Sequence, residues 1–247
     1  MNWQQPWIIG NWKMNGRRSS TAAFAQAWAA QRLPENVSTG IAAPLPYLPD
    51  LKQAAPALPV GAQDVSRFDK DGAFTGETSA AMLADLGAQF VLLGHSERRQ
   101  YFGENNEALS AKLDNTLAAR LIPILCVGET LTQRQAAQEQ AVVAEQLSVL
   151  RGKAMPHIAV AYEPVWAIGT GQVASAGQIA DMHAFIYAEL LSFANKSANI
   201  RALYGGSVNA QNAQTILTLP NVDGALVGGA SLQADSFAAI VQAAAKQ

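Results

Sequence analysis

His157-Ile158-Ala159-Val160-Ala161-Tyr162-Glu163-Pro164 reads as a short buried strand that ends in a carboxylate. The run is mostly apolar and lacks a helical period. Pro164 biases Glu163 toward extended backbone and halts any helix. Four apolar residues follow, Val165-Trp166-Ala167-Ile168, and then Gly169-Thr170-Gly171. A loop with a stiff proline start, an apolar middle and a glycine exit can close over a site and exclude water. The stretch therefore predicts a base, Glu163, at the mouth of a strand with its own lid.

Similar runs recur on both sides of it. Strands are predicted at Trp7 to Asn11, Val37 to Ala42, Val60 to Gln63, Phe90 to Gly94, Ile122 to Val127, Ile158 to Glu163, Arg201 to Gly205 and Gly224 to Gly228. Their spacing is roughly thirty residues, the size of one strand–helix unit. Helical stripes lie between them. Leu109, Leu113 and Leu117 share one face, and so do Ile179, Met182 and Ile186 after the capping-box pattern Ser175-Ala176-Gly177-Gln178. Gly87 and Gly152 stand where helices should stop, and Ser236 to Lys246 reads as a closing helix with Phe237, Ile240 and Val241 inward. Strands joined by helical crossovers are parallel. Eight such units predict an α/β protein, a single-domain (β/α)8 barrel over residues 1–247, with an open doubly wound sheet as the competing layout.

The 247 residues are 49% hydrophobic and 15% charged, with a net charge of −2 and no basic run. That composition suits a buried core and argues against nucleic acid or an anionic membrane as partner. A single cysteine, Cys126, rules out an intrachain disulfide and fits a reducing, cytoplasmic setting. Its apolar strand makes it a packing residue. The start, Met1-Asn2-Trp3-Gln4-Gln5-Pro6, lacks the order of a signal peptide, and no apolar run is long enough to span a bilayer.

In parallel barrels the working groups sit at the carboxyl ends of the strands. The first strand runs into Gly10-Asn11-Trp12-Lys13, a candidate fixed positive charge. The fourth runs into Gly94-His95-Ser96-Glu97-Arg98-Arg99. A helix starting after His95 would aim its free N–H groups at the imidazole, disfavour imidazolium and leave a neutral hydrogen-bond donor. Glycine-bearing loops follow three strands: Gly169-Thr170-Gly171, Gly205-Gly206-Ser207 and Gly228-Gly229. Backbone N–H groups there can approach a phosphate closely, and Ala230-Ser231-Leu232 could start a short extra helix beside it. His95, His157 and His183 are too scattered for a local metal motif. Gly169 to Ala174 matches a dinucleotide pattern formally, but it does not follow a strand directly, so the match is read as accidental.

Together these segments resemble the triosephosphate isomerase family over nearly the whole chain. The resemblance rests on Gly10-Asn11-Trp12-Lys13-Met14-Asn15, on Gly94 to Arg99, on Ala161 to Gly171, on Tyr204-Gly205-Gly206-Ser207 and on Leu226 to Leu232. It implies a TIM barrel that interconverts dihydroxyacetone phosphate and D-glyceraldehyde 3-phosphate, with no cofactor and no metal. Glu163 would be the base, neutral His95 the proton shuttle, and Lys13 the charge that stabilises the enediolate. Asn11 would orient the substrate, and Glu97 would support Lys13 and His95. Backbone N–H groups of Gly169, Ser207, Gly228 and Gly229 would hold the phosphate, and Tyr204 and Ser207 would latch the lid. The stretch Ser66 to Thr78 resembles a loop that reaches into a second copy, which implies a homodimer.

Some positions depart from the family. Tyr187 replaces a common arginine, so Asp223 is expected to lack an ion-pair partner. Gln172 and Val173 stand for a commoner lysine–threonine pair, and Ala43 for a frequent proline. Two competing readings remain: another phosphate-binding barrel isomerase or lyase, and a non-catalytic barrel. Each is expected to lack part of the set Lys13, His95 and Glu163.

Overall fold

The computed structural model describes residues 1–153, 155–168, 173–193 and 198–245. Eight strands run β1 Trp7–Asn11, β2 Ser38–Ala42, β3 Val60–Ala62, β4 Phe90–Leu93, β5 Ile122–Val127, β6 His157–Tyr162, β7 Asn199–Tyr204 and β8 Gly224–Val227. They pair in chain order and close into a barrel, each parallel to its neighbours. Helices occupy every crossover. The open doubly wound sheet is thereby excluded.

Strand ends differ slightly from the sequence reading. Gln63, Gly94, Glu163, Gly205 and Gly228, each predicted as a last strand residue, lie one step beyond the ladder. There the chain leaves the sheet for the loops of the rim. Two of these residues still donate a ladder-like bond, Glu163 N–H to Val127 O at 2.7 Å and Gly205 N–H to Tyr162 O at 2.7 Å. At the other end β7 begins two residues early, because Asn199 and Ile200 pair with His157 and Ile158.

Alternation along the strands separates two cores. Trp7, Ile9, Ala42, Phe90, Leu92, Ile124, Cys126, Ala159, Ala161, Leu203 and Leu226 form one cluster, which fills the barrel. Their neighbours, among them Ile8, Ile41, Val91, Leu125, Val160 and Ala225, belong to the layer beneath the helices. Both faces are therefore apolar, as strands wrapped by helices require. Leu109 and Leu113 of helix Asn106–Ala118 are fully buried, with Leu117 half-buried against the same layer. Ser175 and Gln178 form the expected reciprocal cap, and Ile179, Met182 and Ile186 are buried behind it. The closing helix runs Ala234–Ala244, with Phe237, Ile240 and Val241 inward. Gly87 and Gly152 adopt φ of +78° and +74°, conformations that end helices.

The expectation that Asp223 lacks an ion-pair partner is wrong. Arg201, on neighbouring β7, places Nη1 3.6 Å from Asp223 Oδ1. The Tyr187 hydroxyl donates to Asp223 Oδ2, which also accepts the Ala202 N–H at 2.8 Å. A phenol and a guanidinium from a different strand occupy the place assigned to one arginine.

Phe90 decides how the barrel floor is packed. A Cβ on Gly61 would come within 2.4 Å of its ring, and one on Gly40 within 2.8 Å. These glycines are needed for space rather than for backbone freedom. Gly61→Ala is expected to lower stability by about 1–3 kcal/mol through overpacking. Phe90→Leu should remove the clash, so the double variant should lose less than the sum of the single losses. Urea midpoints of the three variants test this, and strictly additive losses would exclude the contact as the cause.

Candidate active site

The rim at the carboxyl ends of the strands encloses a cavity of about 310 Å³. Lys13, His95, Glu163, Ser207, Gly228 and Gly229 all line it. Asn11 lines it too, whereas Glu97 faces an adjoining cleft and reaches the site through Lys13. Gly169, like the rest of 169–172, lies outside the described residues.

Lys13 has φ of +51°, a left-handed backbone that costs a non-glycine residue about 1–2 kcal/mol. Local hydrogen bonds offset that cost. Asn11 Oδ1 accepts the Lys13 N–H at 2.9 Å, and Gln63 Nε2 donates to Lys13 O at 2.9 Å and reaches Asn11 Oδ1 at 3.2 Å. The turn sends the ammonium across the rim, where Nζ meets Glu97 Oε1 at 2.5 Å. Gln63 was read from sequence only as a strand end. A polar residue at the carboxyl end of an apolar strand was the available signal.

His95 caps helix Ser96–Phe102, as its position after β4 implied. Its Nδ1 accepts the Glu97 N–H at 3.2 Å, which leaves Nε2 as the ring's donor in the neutral tautomer. Nε2 lies 3.0 Å from Glu163 Oε1, and Glu163 Oε2 accepts the Ser96 N–H at 2.9 Å. The expected lowering of His95 is overruled here. Burial does push the imidazole down, but the charge of Glu163 and its hydrogen bond outweigh that and raise it. Burial alone would raise Glu163. His95, the Ser96 N–H and Lys13 reverse this and hold the carboxyl below its usual range. The Cys126 thiol is pushed well up, first by burial and then by Glu163, so it stays protonated and inert.

Two glycines allow Glu163 to sit where it does. A Cβ on Gly128 would lie 1.8 Å from the Glu163 carbonyl oxygen, and one on Gly205 2.9 Å from its Cγ. Beyond Glu163, the lid residues rest on a fully buried carboxylate that the sequence reading missed. Glu129 accepts from Trp166 Nε1 at 2.8 Å, from the Tyr162 hydroxyl at 3.1 Å and from Arg134 Nη1 at 3.0 Å. The Arg134 guanidinium also lies over the Trp166 ring, 5.3 Å from its centre. An acidic residue two steps past a strand looks solvated in sequence, and only the distant donors show otherwise. Across the rim, Ser207 Oγ donates to Ala167 O at 2.8 Å, a contact between the β7 loop and the lid.

After β8, Gly229–Leu232 forms a single 3-10 turn where a short helix start was expected. Ser231 ties it down, since its N–H and its hydroxyl both donate to Gly228 O, at 2.8 and 2.7 Å. The Trp12 indole donates to Ser231 O at 3.0 Å, which ties the Lys13 segment to this turn. The rim thus joins a carboxylate, an imidazole and an ammonium to glycine backbone suited to an anion. Such a set can transfer protons beside a carbonyl and hold a phosphate.

The family model described as Triosephosphate isomerase matches residues 6–244. A triosephosphate isomerase of Neisseria meningitidis serogroup A / serotype 4A (strain DSM 15465 / Z2491) is 55% identical, covering 98% of each chain. Relatives of the same name from Paracidovorax citrulli (strain AAC00-1) and Delftia acidovorans (strain DSM 14801 / SPH-1) are 47% and 45% identical. Each covers 96% of this chain and 98% of its own.

If Glu163 lifts His95, removing its charge should let the ring fall. In Glu163→Gln, burial and Lys13 remain and both act downward. The His95 imidazole should titrate above 6.5 in the parent protein and at lower pH in the variant, followed by NMR of the ring. The same midpoint in both proteins would rule out Glu163 as the cause.

Proposed function

The chain belongs to the triosephosphate isomerase family, and from this we infer how its residues divide the work. It is an isomerase that interconverts dihydroxyacetone phosphate and D-glyceraldehyde 3-phosphate, a step of glycolysis and gluconeogenesis. Glu163 takes a proton from the carbon next to the carbonyl, and the electron pair moves onto the carbonyl oxygen. His95 donates its Nε2 proton to that oxygen and accepts one from the neighbouring hydroxyl. Glu163 then returns its proton to the adjacent carbon. Hydrogen is only redistributed within one molecule, so the reading requires neither cofactor nor metal. Before the first step Glu163 must exchange its bonds to His95 and Ser96 for the substrate carbon.

One observation carries this reading: Glu163, His95 and Lys13 face the same cavity as Ser207, Gly228 and Gly229. Lys13 lies where charge develops on the enediolate, which a fixed cation stabilises. Asn11 shapes the Lys13 turn and orients the substrate, and Glu97 steadies the ammonium. The backbone of Gly169, Ser207, Gly228 and Gly229 grips the phosphate. That grip is remote from the reacting carbons and can be used to close the lid over Glu163. Closure keeps water from the enediolate and so limits loss of phosphate.

The reading extends to residues 1–247 as one barrel domain and to a cytoplasmic homodimer. Among the described residues, no helix is long and apolar enough to cross a membrane. Around the adjoining cleft of about 390 Å³, Met14 is 97% exposed, and Phe102 and Leu45 are exposed too. Apolar exposure of this kind favours a partner. In the loop Ser66 to Thr78, residues 69–77 are exposed, Phe74 stacks on Phe68 with ring centres 3.6 Å apart, and Ser66 and Thr78 are tied at the base. In this reading the loop of a second copy packs into that cleft, whose lining includes Asn11, Lys13 and His95.

Glu163→Gln should lower turnover by roughly 10²- to 10⁴-fold while binding of glycerol 3-phosphate stays within a few-fold. A coupled isomerisation assay with unchanged turnover would reject Glu163 as base. Thr75→Asp should shift the protein toward monomers on dilution and reduce specific activity. Sedimentation and activity matching the parent would remove the loop from the interface.

A further inference from the structure

Past the ends of β5 and β6 the two chains remain paired. Glu163 N–H donates to Val127 O at 2.7 Å, and Val165 N–H donates to Glu129 O at 3.1 Å. Gly128 lies between those two bonds and against the Glu163 carbonyl, close enough that no Cβ is tolerated. Its own N–H and carbonyl are both taken by one side chain. Gln146 Oε1 accepts the Gly128 N–H at 2.7 Å, and Gln146 Nε2 donates to Gly128 O at 3.1 Å. A side-chain amide thus imitates a neighbouring peptide where the sheet has ended. It comes from helix Glu139–Leu147, which is pinned by the buried Val143 and Leu147.

We propose that Gln146 is a positioning residue for the isomerisation: it clamps the Gly128 peptide and so sets where Glu163 presents its carboxylate. The proposal rests on Glu163 as base. A base misplaced by a fraction of an ångström loses rate steeply. Among the described residues the Gln146 side chain hydrogen-bonds Gly128 and not Lys13, Ser207, Gly228 or Gly229, so its effect should fall on turnover and leave substrate binding alone. Gln146 also lines a cavity of about 280 Å³ beside Gly128 and Val165, so an apolar replacement meets space rather than a clash.

Gln146→Met removes both bonds at similar volume. Its kcat should drop roughly tenfold, with KM for D-glyceraldehyde 3-phosphate within twofold of the parent. Leu58→Ala, at a buried position just before β3 and at the opposite end of the strands from the rim, is the control for stability alone and should leave kcat unchanged. Gln146→Glu keeps the acceptor for the Gly128 N–H and should fall between parent and Gln146→Met. If Gln146→Met does not fold, Gln146→Glu decides, and parental kcat there overturns the proposal. It is equally overturned if Gln146→Met loses no more kcat than Leu58→Ala, or if KM rises in step with the loss. Glu163→Gln assayed in parallel separates the two ideas. If it retains turnover, the base assignment fails; if it is inactive while Gln146→Met is normal, only the positioning role fails.

Discussion

A parallel strand cannot return beside itself without a crossover, so every strand in a closed parallel barrel finishes on the same rim. That constraint makes the site possible. Asn11, Gln63, His95, Glu163 and Ser207 come from five different strand–helix units, yet each ends a strand or follows its end by at most three residues. No long loop has to be folded into place to collect them. The rim supplies their proximity, and local turns supply their aim.

Aim depends on polar groups that hold backbone rather than substrate. Lys13 keeps its left-handed turn through Asn11 and Gln63, and the His95 ring is oriented by the Glu97 N–H of the helix it caps. Trp166 in the lid leans on Glu129, and Gly128 on Gln146. In each pair an amide or carboxylate completes hydrogen bonding where regular structure has stopped. Such groups cost free energy if left unpaired in a buried setting, which favours one arrangement over its near neighbours.

Much of this was legible in sequence because it is periodic or local. Buried parallel strands read as apolar runs, Leu109 and Leu113 mark a helix face, and Ser175 with Gln178 announces a cap within four residues. The strand-end groups Lys13, His95 and Glu163 were legible too, since their types and positions point at one chemistry. What sequence reading missed depends on partners far along the chain. Glu129 and Gln146 look like solvated polar residues until the lid and the Gly128 peptide are seen beside them. Asp223 was expected to be orphaned because one arginine was sought at 187, whereas the guanidinium stands at 201 on the adjacent strand. His95 was read from its helix alone, and its contact with Glu163 reverses the direction of its shift.

The Phe90 ring, seated where Gly40 and Gly61 carry no side chain, packs with Trp7, Ile9, Leu92 and Ile124 across the middle of the barrel. Traffic is therefore one-sided. A molecule that enters over the glycine loops must depart by the same doorway, past the same Trp166-bearing segment. Admission and discharge share a single gate, and whatever tightens its grip on an arriving ligand also delays the departing one.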